Sequence, residues 1–280
     1  MSNRMSPTER RNGLTFIELM LAMTILAMVV GTLGALARGV QQAYEYTEGQ
    51  GLATQHARVV FERIAHTIDE ANTSDEFPGF IVVSEEFGSW DFPDTLVVWR
   101  PLDWSGNPKS ARDPDGLPYY DEVVVYAPHP YSPNTLLEMT FPWTPVRVPS
   151  LTDVSRWQSE IETLKKAYFW RGNTLTTLVR SCYLAEGSTS EEKWRGAVRF
   201  AVRLRPSEDD WSKYLAGTRT WERLPWVQGI YGSRTGLRQN WLRIELQLMP
   251  GESVVASPEE TYRPVVFFDS IALFYQMQRE

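Results

Sequence analysis

The chain has 280 residues, 42% of them hydrophobic and 12% aromatic, which excludes wholesale disorder and allows one or two domains with a sizeable core. Its net charge is -7, with 28 Lys and Arg scattered among 35 Asp and Glu, so it lacks the basic stripe that phosphate backbones require, and nucleic acid is not an expected partner. Cys182 is the only cysteine, which excludes an intramolecular disulfide and a thiolate metal cluster; it reads as a small buried apolar group on a strand. Eleven tryptophans point to a head packed with large rings, or to a surface that presents them as a sugar-binding platform does.

Residues 1–13 are polar and carry Arg4, Arg10 and Arg11 against Glu9, whereas residues 19–37 contain no charge. Nineteen residues at about 1.5 Å each are enough to cross a bilayer as a helix. The positive side precedes the apolar run, which predicts a cytoplasmic leader and a single-pass chain whose remainder lies beyond the inner membrane. Glu18 stands at the head of that run, where an isolated carboxylate is costly. An ordinary secretory signal would cut after Ala37 in Ala35-Leu36-Ala37, but the run is longer than the usual apolar region of about 7 to 15 residues, and Glu18 interrupts its start. An uncleaved anchor is a second alternative, and a twin-arginine signal a third, although the residues after Arg10-Arg11 fit that pattern poorly.

Arg10-Arg11-Asn12-Gly13 followed by Leu14-Thr15-Phe16-Ile17-Glu18 resembles the processing site of type IV prepilins and type II secretion pseudopilins. The resemblance implies that a prepilin peptidase cuts between Gly13 and Leu14, that Leu14 is then N-methylated, and that Glu18 takes part in assembly with other pilin-like subunits. Leu14 departs from the Phe usual at the first mature position. The spacing has its own chemistry: a cut at Gly13 creates an α-amine at Leu14, and residues four apart share a helical face, so Glu18 can meet its own amine or a neighbour's. Pairing removes the penalty of an isolated charge, and methylation keeps the amine positive.

Past the apolar run, Ala53, Ala57, Phe61, Ile64 and Ile68 recur at intervals of four and three among polar residues, which predicts one helix from Leu14 to about Glu70, about 85 Å long. Gly31, Gly34, Gly39, Gly49 and Gly51 weaken it and predict a kink or local melting. From residue 72 the texture becomes short β-rich runs between Pro, Gly and Asp, at 80–83, 95–100, 122–126, 136–141, 174–184, 197–204, 241–249 and 265–275. Residues 199–204 and 243–248 alternate charged and apolar groups, as half-buried antiparallel strands do. A second helix is expected at 155–166, with Trp157, Ile161 and Leu164 on one face. The expected fold is α+β, a long N-terminal transmembrane helix packed on an antiparallel sheet, organised as a leader (1–13), a membrane part (14–37), a periplasmic helical part (38–71) and a head (72–280). The order of strand, Trp211 and Trp221, then strand is similar to the J-type minor pseudopilins.

No catalytic constellation stands out. His56, His66 and His129 lack the His-Glu-x-x-His spacing of a zinc site, and solvated positions account for them. The glycine-rich stretch 229–236 lacks the Gly-Lys-Ser/Thr ending of a phosphate loop and reads as a turn. The acidic stretch 103–122 offers Asp113, Asp115 and Asp121 as calcium candidates, although Asp-Pro-Asp-Gly is also an ordinary turn. The resemblance makes the chain a structural subunit and not an enzyme. The rival class is a membrane-tethered periplasmic enzyme or carbohydrate-binding module. The bulk of the head and its long loops, with Trp104 and Trp143 as candidate contacts, suit a scarce subunit near a filament tip.

Overall fold

A computed structural model describes residues 15–277 except 75, 88–89, 104, 168–169, 185–192, 225–236 and 250–265. Helix α1, Phe16–Asp69, is 54 residues long, and a boundary after Glu48 divides the chain into two compact units. The helical backbone runs unbroken through all five glycines, so none of them melts it. In its second part Ala53, Ala57, Val60, Ile64, Thr67 and Ile68 are buried at three- and four-residue spacing, the single apolar stripe that a surface helix offers to a core.

That stripe meets a five-stranded antiparallel sheet formed, in order, by β1 (Phe80–Phe87), β2 (Trp90–Trp99), β3 (Val123–His129), β4 (Ser132–Thr140) and β5 (Arg171–Thr176). Successive side chains point to opposite faces. Leu96, Val98, Val124, Tyr126 and Leu136 therefore join the core beneath α1. Val97, Trp99, Val123, Val125, Ala127, Leu137 and Met139 form a second core under helix α2 (Val154–Lys166), which contributes the expected Trp157, Ile161 and Leu164. Cover on both faces explains why β3 is a continuous apolar run and not an alternating one. Asp153 caps α2 by accepting from the Arg156 N–H at 3.2 Å, and Phe77 meets Trp99 edge to face with centroids 6.0 Å apart. β5 runs so close to β4 that a Cβ on Gly172 would lie 1.9 Å from the Glu138 carbonyl oxygen.

Polar links fix the register between α1 and the sheet. Arg63 grips Glu138 with Nε and Nη2 at 2.6 and 2.7 Å, Thr67 and the Tyr126 hydroxyl share a 2.6 Å hydrogen bond, and Tyr126 also donates to Glu138 at 3.2 Å. Burial first, and then the Glu138 charge, push the Tyr126 hydroxyl well above the usual phenol range, so it stays a donor. His56 is half-buried, not solvated as expected: its Nδ1 lies 3.0 Å from Thr176 Oγ1 on β5. His66 is exposed and lies 3.6 Å from Glu70.

The head differs from the single sheet read in the sequence. The run expected at 174–184 breaks after Thr176, whose hydroxyl accepts from the Leu178 N–H, and Val179 bridges to Leu248. The chain then forms a two-stranded ribbon, β6 (Ser181–Leu184) with β7 (Lys193–Gly196), and a three-stranded sheet of β8 (Val198–Arg205), β9 (Leu237–Leu248) and β10 (Val266–Met277) in the order β10-β9-β8. Val198, Phe200, Leu242, Ile244, Leu246 and Leu248 close the core around the α1 stripe from this side. Cys182 sits on β6 but is only half-buried. The segment expected to be a Trp-bearing loop contains helix α3 (Glu208–Leu215) and a 3₁₀ turn at Trp221–Arg223, whose Trp211 and Trp221 are buried with Leu224 in a separate small cluster.

Because Ile64 is fully buried in the core to which α1 and both larger sheets contribute, Ile64→Ala should lower head stability by about 2–5 kcal/mol. Val59→Ala, one face away and 55% exposed, should stay within about 0.5 kcal/mol. Denaturant unfolding of the detergent-solubilised chain followed by tryptophan fluorescence checks both, and equal effects would contradict this placement.

Candidate functional site

The region that the sequence marks as functional is the start of α1. Gly13 and Leu14 lie outside the described residues; Thr15 and Glu18 are described and form a closed local pair. The Thr15 N–H and hydroxyl donate to Glu18 Oε2 at 2.9 and 3.0 Å, and the Glu18 N–H donates back to Thr15 Oγ1 at 3.3 Å. This is the reciprocal capping box of Thr-x-x-Glu, which satisfies two backbone donors that a helix start otherwise leaves open. The Leu19 N–H to Thr15 carbonyl bond, 3.1 Å, begins the regular ladder. A carboxylate at the third helical position also lies at the positive end of the helix dipole. Among the described residues Glu18 Oε1 has no partner, and the side chain is exposed.

Thr15 is the residue that sequence reasoning passes over. In the sequence it counts only as part of the processing motif, whereas its spacing to Glu18 is a helix-start signal in its own right. Glu18 therefore has a local structural role before any assembly role.

As a bare helix the next segment leaves a large apolar surface uncovered. From Phe16 to Val40 every large apolar side chain is at least 46% exposed, on all sides of the helix. α1 contains a window long and apolar enough to cross a membrane, and none of that window is buried. Backbone polar groups in hydrocarbon must be bonded within the segment, which a helix does automatically. The two hydroxyls in the apolar run obey the same rule: Thr24 Oγ1 donates to the Met20 carbonyl and Thr32 Oγ1 to the Val29 carbonyl, both at 2.9 Å. Arg38 ends the uncharged stretch, and beyond it lie exposed Tyr44 and Tyr46, residue types suited to a membrane–water boundary.

The chain carries the prokaryotic N-terminal methylation motif. The match covers residues 9–34, which include Gly13, Leu14, the Thr15–Glu18 pair and most of the apolar run. Together with the long apolar helix and the β-rich head, it supports a place among type IV pilin-like proteins. No curated protein and no solved structure matches the chain.

The other candidates lie in the head. Asp113 pairs with Arg147, and Asp121 with Arg112 at 2.6 Å, so two of the three calcium candidates already face a guanidinium. Both arginines also lie over the Tyr119 ring, at 4.4 and 5.4 Å from its centroid, and tie this loop to the stretch before α2. Asp115 also has a partner. Among the described residues no group of three or more His, Cys, Asp or Glu side chains is arranged to hold a metal ion. His129 accepts at Nδ1 from the Tyr131 and Ser132 N–H groups, each at 3.1 Å, and so shapes the β3–β4 turn. Trp143 is 61% exposed with the Arg171 guanidinium 4.6 Å from its ring centre. Trp104 and the stretch 229–236 lie outside the described residues.

Thr15→Val, which keeps shape but removes the hydroxyl, should cost the first turn of α1 about 1 kcal/mol and speed amide exchange at Glu18 about fivefold. Thr15→Ser should retain the slow exchange. Hydrogen exchange by NMR in micelles checks this, and unchanged protection in the valine variant would contradict the capping role.

Proposed function

We propose that this chain is a pilin-like structural subunit of a bacterial secretion or pilus filament. It enters the inner membrane once, with the head in the periplasm, is trimmed by prepilin peptidase between Gly13 and Leu14, and is N-methylated at Leu14. The observation that carries this reading is the methylation motif over residues 9–34, which runs from the polar leader into a helix whose apolar run is wholly exposed. Within the filament Glu18 pairs with a terminal amine, its own or a neighbour's. The free Oε1 of the capping pair supports this, because one oxygen serves Thr15 while the other remains open to a cation.

Among such subunits the chain is best placed as a minor pseudopilin of a type II secretion system, near the filament tip. A head reaching from residue 72 to 280 would crowd identical neighbours around closely stacked helices, and a tip position relieves that on one side.

Co-expression with a prepilin peptidase should convert the precursor to a shorter form, and Gly13→Ala should leave it uncut; identical migration with and without the peptidase would count against the proposal. Glu18→Gln isolates the charge, since glutamine still accepts from Thr15 in a capping box. It should leave membrane insertion intact and reduce co-purification with other pilin-like subunits, and normal co-purification would remove Glu18 from assembly. Quantitative mass spectrometry of isolated filaments should find the chain far below the most abundant subunit; equal copy number would rule out the tip.

A further inference from the structure

One edge of the five-stranded sheet, β1, lies in a groove. β1 ends the strand order and has no second neighbour among the described residues. The Trp99 N–H donates to the Gly79 carbonyl at 2.8 Å, and Phe80 stands opposite Val98. Hydrogen-bonded couples alternate along an antiparallel pair, so Ile81 and Val83 point their backbone groups at β2, while Val82 turns its N–H and C=O outward.

Two walls flank this edge and enclose about 660 Å³. One is α2 with the turn before it, through Leu151, Val154 and Trp157; the other is β8, through Phe200, Val202 and Leu204. Leu151, Val154 and Val202 are 38%, 59% and 36% exposed, so both walls present apolar surface beside open backbone groups. At the hairpin end of the groove Glu86 and Asp91 stand directly opposite one another across β1 and β2, both exposed. Like charges in that position repel. Among the described residues no cation pairs with either; Glu86 receives only the Gln158 amide, at 3.5 Å.

We propose that the groove takes an extended strand of a partner protein. The strand adds to β1 through main-chain hydrogen bonds, sets alternate apolar side chains against α2 and β8, and brings a Lys or Arg to Glu86 and Asp91. The carboxylate pair argues against a second copy of this chain as the occupant, because β1 itself, Phe-Ile-Val-Val-Ser-Glu-Glu-Phe, carries no cation and edge-to-edge pairing would add negative charge. The groove lies entirely in the head and owes nothing to the methylation motif, so either reading can fail without the other.

The test uses the full chain in detergent micelles and a fluorescent peptide of about eight residues that alternates valine and threonine and ends in a pair of lysines. The peptide should bind saturably and slow amide exchange at Val82. Val82→Pro removes an N–H that β2 does not use, and edge strands tolerate proline, so binding should weaken at least about tenfold while the thermal transition persists. Val154→Asp, in the wall and not in the sheet, should weaken it similarly even if the proline variant fails to fold. Glu86→Lys with Asp91→Lys should move the preference to the same peptide ending in glutamates. The proposal is overturned by absence of binding, by equal binding of a peptide with its valines grouped together, or by unchanged affinity in Val154→Asp. Self-association of the free protein that Val154→Asp abolishes would assign the groove to a second copy and overturn it equally.

Discussion

Backbone polar groups in an apolar surrounding have no water to turn to, and α1, a helix without interruption, satisfies its own along the whole apolar run. The same backbone serves two surroundings, and only the side chains change. Across residues 19–37 it is apolar on every side and open, as a helix among lipid tails or other helices requires. Between Ala53 and Ile68 it narrows to one stripe, and the head is organised around that stripe. The five-stranded and three-stranded sheets both contribute to the core that covers it, while α2 caps the far face of the larger sheet.

The weak point of such a helix is its first turn, where backbone donors have no partner and where the chain also places a carboxylate. Thr15 and Glu18 resolve both difficulties together. The capping pair occupies Oε2 and leaves Oε1 open, so a local structural role and a pairing role in assembly are compatible in one side chain. At the other end, Arg63 with Glu138 and Thr67 with Tyr126 tie the helix to β3 and β4. A buried carboxylate such as Glu138 is tolerable there because a bidentate guanidinium and a phenol satisfy it.

Much of this is legible in the sequence, for identifiable reasons. The α1 stripe, the α2 face of Trp157, Ile161 and Leu164, and nearly every strand of the two larger sheets come from periodicity, which burial on one face imposes. What periodicity cannot carry is which strands share a sheet. The break at Thr177 depends on the Thr176 hydroxyl capturing the Leu178 N–H and on Val179 reaching Leu248, a contact between distant residues. α3 escapes a reading by pattern because so short a helix repeats little, and Trp211 on it, like Trp221 in the 3₁₀ turn that follows, passes for a loop residue. The burial of His56 has no local signal, because its partner, Thr176, comes from a strand far along the chain. At the N-terminus the motif is plain, yet the residues of the cut overshadow the Thr-x-x-Glu spacing that marks Thr15 as a cap, a role the helix geometry makes explicit.

Processed as proposed, the chain starts its apolar helix at a newly made amine and not at an ordinary signal or anchor. The intact mass of the protein purified from bacterial membranes tests it most directly. A chain beginning at Leu14 and carrying one methyl group is the predicted result; a chain beginning at Met1 or at Arg38 would contradict it.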